Sequence, residues 1–218
     1  MNNQLLDCGC SPMPPGNPYH LCNTHVRQDE GDLEGGTSII AGGGAANHRG
    51  SSEQSVGTPR DLLDAVETRF GRITFDLAAD ANNCVVAPDV PHPTVYFTQQ
   101  KTYFDKADDS LAQDWPLRGV NWLNPEFADV APWVAKCRRW VSSGRAEAGA
   151  LVILLVPASV DSNWWMENVA GHARVLSLNP RVKFVGHKQG FPKPLALCAY
   201  DARFPMQPNL VEPWRWKK

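Results

Sequence analysis

The stretch Asn121-Trp122-Leu123-Asn124-Pro125-Glu126-Phe127 has the make-up of a site that grips a planar amine. Apolar residues run into a polar corner, and an aromatic closes it. Leu123 ends a buried strand, so Asn124 falls just past the strand's carboxyl end, where open α/β sheets place their ligands. Pro125 fixes its own φ and keeps Asn124 out of the helical region, which aims the Asn side chain by covalent geometry. The corner offers an amide oxygen, backbone carbonyls and the flat face of Phe127. That set suits a ring bearing an exocyclic amine. An ordinary strand-to-helix turn reads the same way in isolation, so the surroundings decide.

Three other stretches carry chemistry. In Phe75-Asp76-Leu77-Ala78-Ala79-Asp80, small residues after a strand allow close approach to the backbone, and Asp76 or Asp80 can bind hydroxyls or an ammonium group. Asp114-Trp115, just before the central strand, pairs a carboxylate with an indole, which can grip an adenine ring; a surface Asp beside a core Trp is the competing reading, and the stronger one without context. Near the amino terminus, Cys8, Cys10, Cys22 and His25 supply four ligands for tetrahedral zinc, with His20 as a substitute. C-x-C is tighter than the usual spacing, and a Cys-containing tail without metal is the competing reading.

The elements that must position these residues follow from periodicity. Thr58 reads as an N-cap with Pro59 in the first turn and Asp61 completing a capping box, and Leu62, Leu63, Val66 and Phe70 mark one helical face up to Gly71. Ile73–Leu77 reads as a strand. Val130, Trp133, Val134, Cys137 and Val141 mark a second helix that stops at Gly144, and Lys136, Arg138, Arg139 and Arg145 lie on its basic side. The unbroken apolar run 150–156 predicts a central strand covered on both faces. A short helix over 161–169 and closing strands over 174–178, 182–185 and 195–199 follow. A basic loop, His187 to Lys193, lies between the last two.

The chain has 218 residues, 43% of them apolar, including 8 Trp, enough for one medium domain with a small appendage. A formal charge of -2 argues against global attraction to nucleic acid, so any such contact must be local. The expected organisation is a Cys/His-rich segment at 1–27, a linker at 28–57, one α/β domain at 58–204 and a tail at 205–218. No apolar run is long enough to span a bilayer, which predicts a soluble cytoplasmic protein. Cys84, Cys137 and Cys198 read as buried thiols. The alternation of strands and helices indicates a three-layer, mostly parallel sheet whose last strand runs antiparallel.

Taken in order, the set resembles the phage-type DNA N-6-adenine methyltransferases, the Dam-like family. The matching pieces are Thr58-Pro59, Phe75-Asp76-Leu77-Ala78-Ala79, Tyr96-Phe97-Thr98, Asp109-Ser110-Leu111-Ala112-Gln113-Asp114-Trp115, the 121–127 stretch, Ala131-Pro132-Trp133-Val134, Leu154-Leu155-Val156-Pro157-Ala158, Trp164-Trp165 and Arg181-Val182-Lys183-Phe184. The resemblance covers about residues 56–201. It implies a Rossmann-like fold dependent on S-adenosylmethionine, acting on DNA adenine in a bacterial cytoplasm as a phage or prophage modification enzyme. Asn124 and Pro125 would then accept hydrogen bonds from the adenine amine, with Phe127 stacking on the ring. Asp76, Ala78, Ala79 and Asp80 would line the cofactor site, Asp114 and Trp115 would hold the cofactor's adenine, and the helix from Thr58-Pro59 would close over its methionine end. Glu126 stands where the family usually carries a second Pro.

The same corner also suits cytosine N4, RNA adenine or a protein glutamine, and a catalytically inactive nucleic-acid-binding protein is a further reading. Arg138, Arg139 and the loop from His187 to Lys193 are candidates for DNA contact.

Overall fold

Leu62, Leu63 and Val66 are buried on the inner face of the first helix, α1 (Arg60–Phe70), as their spacing predicts. Each such burial contributes about 1.5–3 kcal/mol. The computed structural model describes residues 56–80, 82–86 and 101–217. The candidate zinc ligands Cys8, Cys10, Cys22 and His25, and the Tyr96-Phe97-Thr98 piece, lie outside these. Among the described residues no cluster of metal-ligating side chains occurs, and no helix is long and apolar enough to cross a membrane.

Among the described residues six strands form one sheet: β1 (Ile73–Asp76), β2 (Val120–Leu123), β3 (Leu151–Pro157), β4 (Arg174–Asn179), β5 (Leu195–Asp201) and β6 (Val211–Arg215). They are ordered β1-β2-β3-β5-β4-β6. β1, β2 and β3 pair in parallel, β5 is antiparallel to both β3 and β4, and β6 is parallel to β4. This is a three-layer, Rossmann-like α/β fold. Helices α2 (Ala131–Ser142) and α3 (Asn163–Asn168) pack on one face through Val134, Cys137, Trp140 and Trp165, while α1 covers the other. β3 is buried along its first six residues, which explains its unbroken apolar run.

Three expectations are corrected. The strand expected to close the sheet, β5, is antiparallel as anticipated and sits between β3 and β4, but the segment expected to be a tail adds a further strand, β6, parallel to β4. Its aromatic residues Trp214 and Trp216 pack against the α1 side of the core. Trp216 N donates to Asn179 O, so by alternation the missing N–H of Pro213 falls on the outer edge, where it costs no ladder bond. Residues 182–185 alternate buried and exposed like a strand but join no ladder. Their backbone bonds go instead to Gly57 and Phe191. Thr58 does not cap α1. Pro59 occupies that position, with no side-chain cap, and Asp61 Oδ1 accepts from Leu62 N.

β1 is not a free edge. Asp76 N donates to Thr102 O and Phe104 N donates to Asp76 O, so the segment 102–104 runs beside it. Cys137 and Cys198 are fully buried, and burial pushes both thiols up, whereas Cys84 is only half-buried. At the entry to β2, Gly119 has φ +66, and a Cβ there would fall on Thr74 Oγ1. Gly119→Ala is therefore expected to cost at least about 2 kcal/mol, roughly 4–8 °C in Tm by thermal denaturation.

Candidate active site

β1 and β2 run side by side to Asp76 and Trp122, and Leu77 N still donates to Trp122 O. Beyond this point the two chains part, and a cleft of about 510 Å³ opens at their carboxyl ends. Loop 76–80 forms one wall, the Asn124-Pro125-Glu126 corner another, and segment 104–110 a third, with Thr58 and Trp133 completing the lining.

Asp76 organises the first wall. Its carboxylate accepts from Ala78 N at 3.2 Å through Oδ1 and from Val85 N at 3.1 Å through Oδ2. It thereby folds the chain after β1 back on itself. Asp76 is 2% exposed. Burial pushes its pKa up to about 7, opposed by the two backbone N–H donors, while the Asp80 charge adds to the rise. Ala79 N donates to Phe104 O, so neither alanine offers a free backbone donor to a ligand. Asp80 is engaged in a turn, accepting from Asn82 N and from the side chain of Asn83.

At the second wall, Asn124 Nδ2 donates to Thr58 Oγ1 at 3.3 Å. This fixes the amide's orientation and leaves its oxygen as the accepting end. Thr58 is buried and lines the cleft, so its hydroxyl serves the site and not the helix terminus.

The structure brings together Thr58, Asp76, Ala78, Ala79, Asp80, Asn124 and Pro125. Pro59, Phe127, Asp114 and Trp115 do not line the cleft. Pro59 starts α1. Asp114 is 84% exposed and faces Arg145 at 3.7 Å, while Trp115 is buried in the core and donates through Nε1 to Ser110 O at 2.9 Å. The carboxylates of this region that reach the cleft are Asp105 and Asp109. Phe127 packs edge-on against Phe184 and Phe191, with ring centroids 6.0 and 5.3 Å away. The aromatics that do line the cleft are Phe104, Trp122 and Trp133, the last one of the residues expected on the core face of α2.

Lys136 also departs from expectation. Instead of extending into water from a basic face, its Nζ donates to the carbonyls of Ser110, Leu111 and Gln113 and sits 4.9 Å from the centre of the Trp115 ring. Burial lowers its pKa. It clamps the turn that carries Asp109 and Ser110 into the cleft, and nothing in its sequence context distinguishes it from a solvated lysine. Lys101 does similar work one turn earlier: it bonds Asp105 and Asp108, each at 2.6 Å, and holds the Asp105 carboxyl below the usual range.

The cleft is strongly acidic. Among the described residues Asp76, Asp80, Asp105, Asp109, Glu126 and Asp129 line it, against Lys106 as the one cation. Asp76 binds its proton more tightly folded than unfolded, about 7 against 3.8, so its contribution to stability declines as pH rises from about 4 to about 7. Denaturation midpoints for wild type and Asp76→Asn across this range are expected to converge as pH rises. The variant starts from a lower baseline because an amide nitrogen cannot accept from a backbone N–H.

The family model of DNA N-6-adenine-methyltransferase (Dam) matches residues 47–193, a span that contains every described residue lining the cleft. No curated protein matches the chain. The chain belongs to the DNA N-6-adenine-methyltransferase (Dam) family.

Proposed function

We propose that the protein transfers a methyl group from S-adenosylmethionine to the N6 amine of adenine in DNA, with Asn124 and Pro125 holding the amine. The observation that carries this reading is that the Asn124-Pro125 corner and the acidic loop after β1 open into one cleft. S-adenosylmethionine supplies an electrophilic methyl group on a cationic sulfonium. A cleft lined by six carboxylates and one lysine suits a ligand with sulfonium and ammonium charges, and its volume is in the range of small-molecule sites. A cation near Asp76 favours its ionised form and offsets the desolvation that raises its pKa.

The chain's own contribution is positioning. Adenine's amine is a weak nucleophile because its lone pair is delocalised into the ring. The Asn124 amide oxygen accepts one amine hydrogen, and the Pro125 carbonyl accepts the other. These acceptors draw the nitrogen toward tetrahedral geometry and stabilise the positive charge that grows on it. Thr58, by engaging the amide nitrogen, keeps the oxygen turned to this task. As the N–C bond forms, the amine releases a proton, and the carboxylates of Glu126 and Asp129 line the same cleft as acceptors. Trp133 provides a flat apolar face. Because the amine is inaccessible within a duplex, the base enters flipped out or already unpaired.

With methyl-labelled S-adenosylmethionine and DNA, Asn124→Ala is expected to lower kcat roughly 30- to 1000-fold, the loss of about 2–4 kcal/mol in the transition state, while calorimetric binding of the cofactor is retained. Transfer unaffected by this substitution would remove Asn124 from the chemistry.

A further inference from the structure

The acidic lining of the cleft constrains where DNA can lie. Asp80, Asp109, Glu126 and Asp129 repel phosphates, while Asp76 is partly neutralised by its raised pKa and Asp105 by Lys101, so the strand's backbone is expected to stay outside while a neutral base enters. The segment 181–193 has the opposite character. It carries Arg181, Lys183, Lys188 and Lys193, all exposed, with no carboxylate from Pro180 to Pro194.

This segment is preformed and touches the acceptor corner. Phe191 N donates to Val182 O at 2.7 Å and Arg181 Nη1 donates to Pro192 O at 2.9 Å, which closes its arms. A Cβ at Gly190 would lie 2.9 Å from Arg181 Cβ, so the approach of the arms depends on glycine. His187 N donates to Phe184 O at the tip. Val182 and Phe184 are buried while Lys183 and Val185 are exposed, so one face grips the protein and the other faces solvent. Phe184 and Phe191 pack on Phe127, one residue beyond Glu126, and Val185 N donates to Gly57 O beside Thr58. The cationic face is thus anchored to both chains that carry Asn124 and Thr58.

We propose that loop 181–193 is the surface that binds the phosphate backbone of DNA next to the target base, with Lys183, Lys188 and Lys193 as its contacts. This rests on the reading of the protein as a DNA methyltransferase. Lysine contacts to phosphate carry affinity and placement without sequence information, so the loop fixes the strand and leaves sequence choice to other groups. The other basic candidates, Arg138 and Arg139, lie on α2, which packs on the opposite face of the sheet, and Arg138 Nη1 is engaged by Glu167 O.

The test measures binding of the full chain to a fluorescein-labelled mixed-sequence DNA duplex by anisotropy over a salt series. Wild type is compared with Lys183→Gln/Lys188→Gln/Lys193→Gln and with Arg138→Gln/Arg139→Gln. Cofactor binding and melting temperature are followed in parallel. The triple variant is expected to bind on the order of tenfold or more weakly at low salt, with a log–log salt slope shallower by about 2–3. Its cofactor affinity and melting temperature stay at the wild-type values, and the arginine pair changes the slope little. A triple variant with wild-type affinity and slope, from a wild type that binds and methylates DNA, overturns the loop assignment alone. A wild type that binds no DNA and incorporates no label overturns the methyltransferase reading and the loop with it.

Discussion

One buried carboxylate holds the site open. Asp76 ends β1 and accepts from the backbone of Ala78 and Val85, which turns the chain away from β2 at the point where the strands would otherwise continue side by side. That turn borders the cleft at the carboxyl ends of β1 and β2, which Asn124 lines from the other side. Burial raises the cost of the Asp76 charge, and the two N–H donors offset only part of it. The fold thus maintains, at its most functional point, a group that is uncomfortable without a cationic neighbour.

The two walls of the cleft are held by different devices. The corner side is rigid through covalent geometry at Pro125 and the single hydrogen bond from Asn124 to Thr58. The far side depends on two lysines that work as internal clamps: Lys101 gathers Asp105 and Asp108, and Lys136 gathers three carbonyls of the 110–113 turn. Both spend their charge on placing neighbours, so the cleft keeps its negative character although cations stand close by. Beyond the corner, the Phe127–Phe184–Phe191 cluster joins this acidic region to a basic loop. Opposite charges on adjoining surfaces separate what a cationic donor and an anionic strand need.

Much of this was legible in the sequence wherever local pattern sufficed. The helical spacing of Leu62, Leu63 and Val66, the apolar run of β3 and the strand-end position of Asn124 all depend on near neighbours, and the structure agrees with each. What failed depended on distant partners. Asp109 and Asp114 lie in one short stretch, and nothing local says which faces the cleft. A turn with Asp109 at φ 50, pinned by Lys136 from another helix, decides it. Thr58 looks like a cap because caps are local, yet its partner is Asn124, 66 residues away. Residues 182–185 alternate as a strand does, because one face is buried, but their backbone partners are not in the sheet. β6 was missed because its pairing with β4 is not encoded in its own alternation of half-buried and exposed residues.

The most direct measurement is nucleoside mass spectrometry of DNA from cells that express the protein, compared with cells that do not. N6-methyladenine present only in the expressing cells is the expected result. N4-methylcytosine in its place, or no methylated base despite folded protein, contradicts the assignment of the Asn124 corner to adenine.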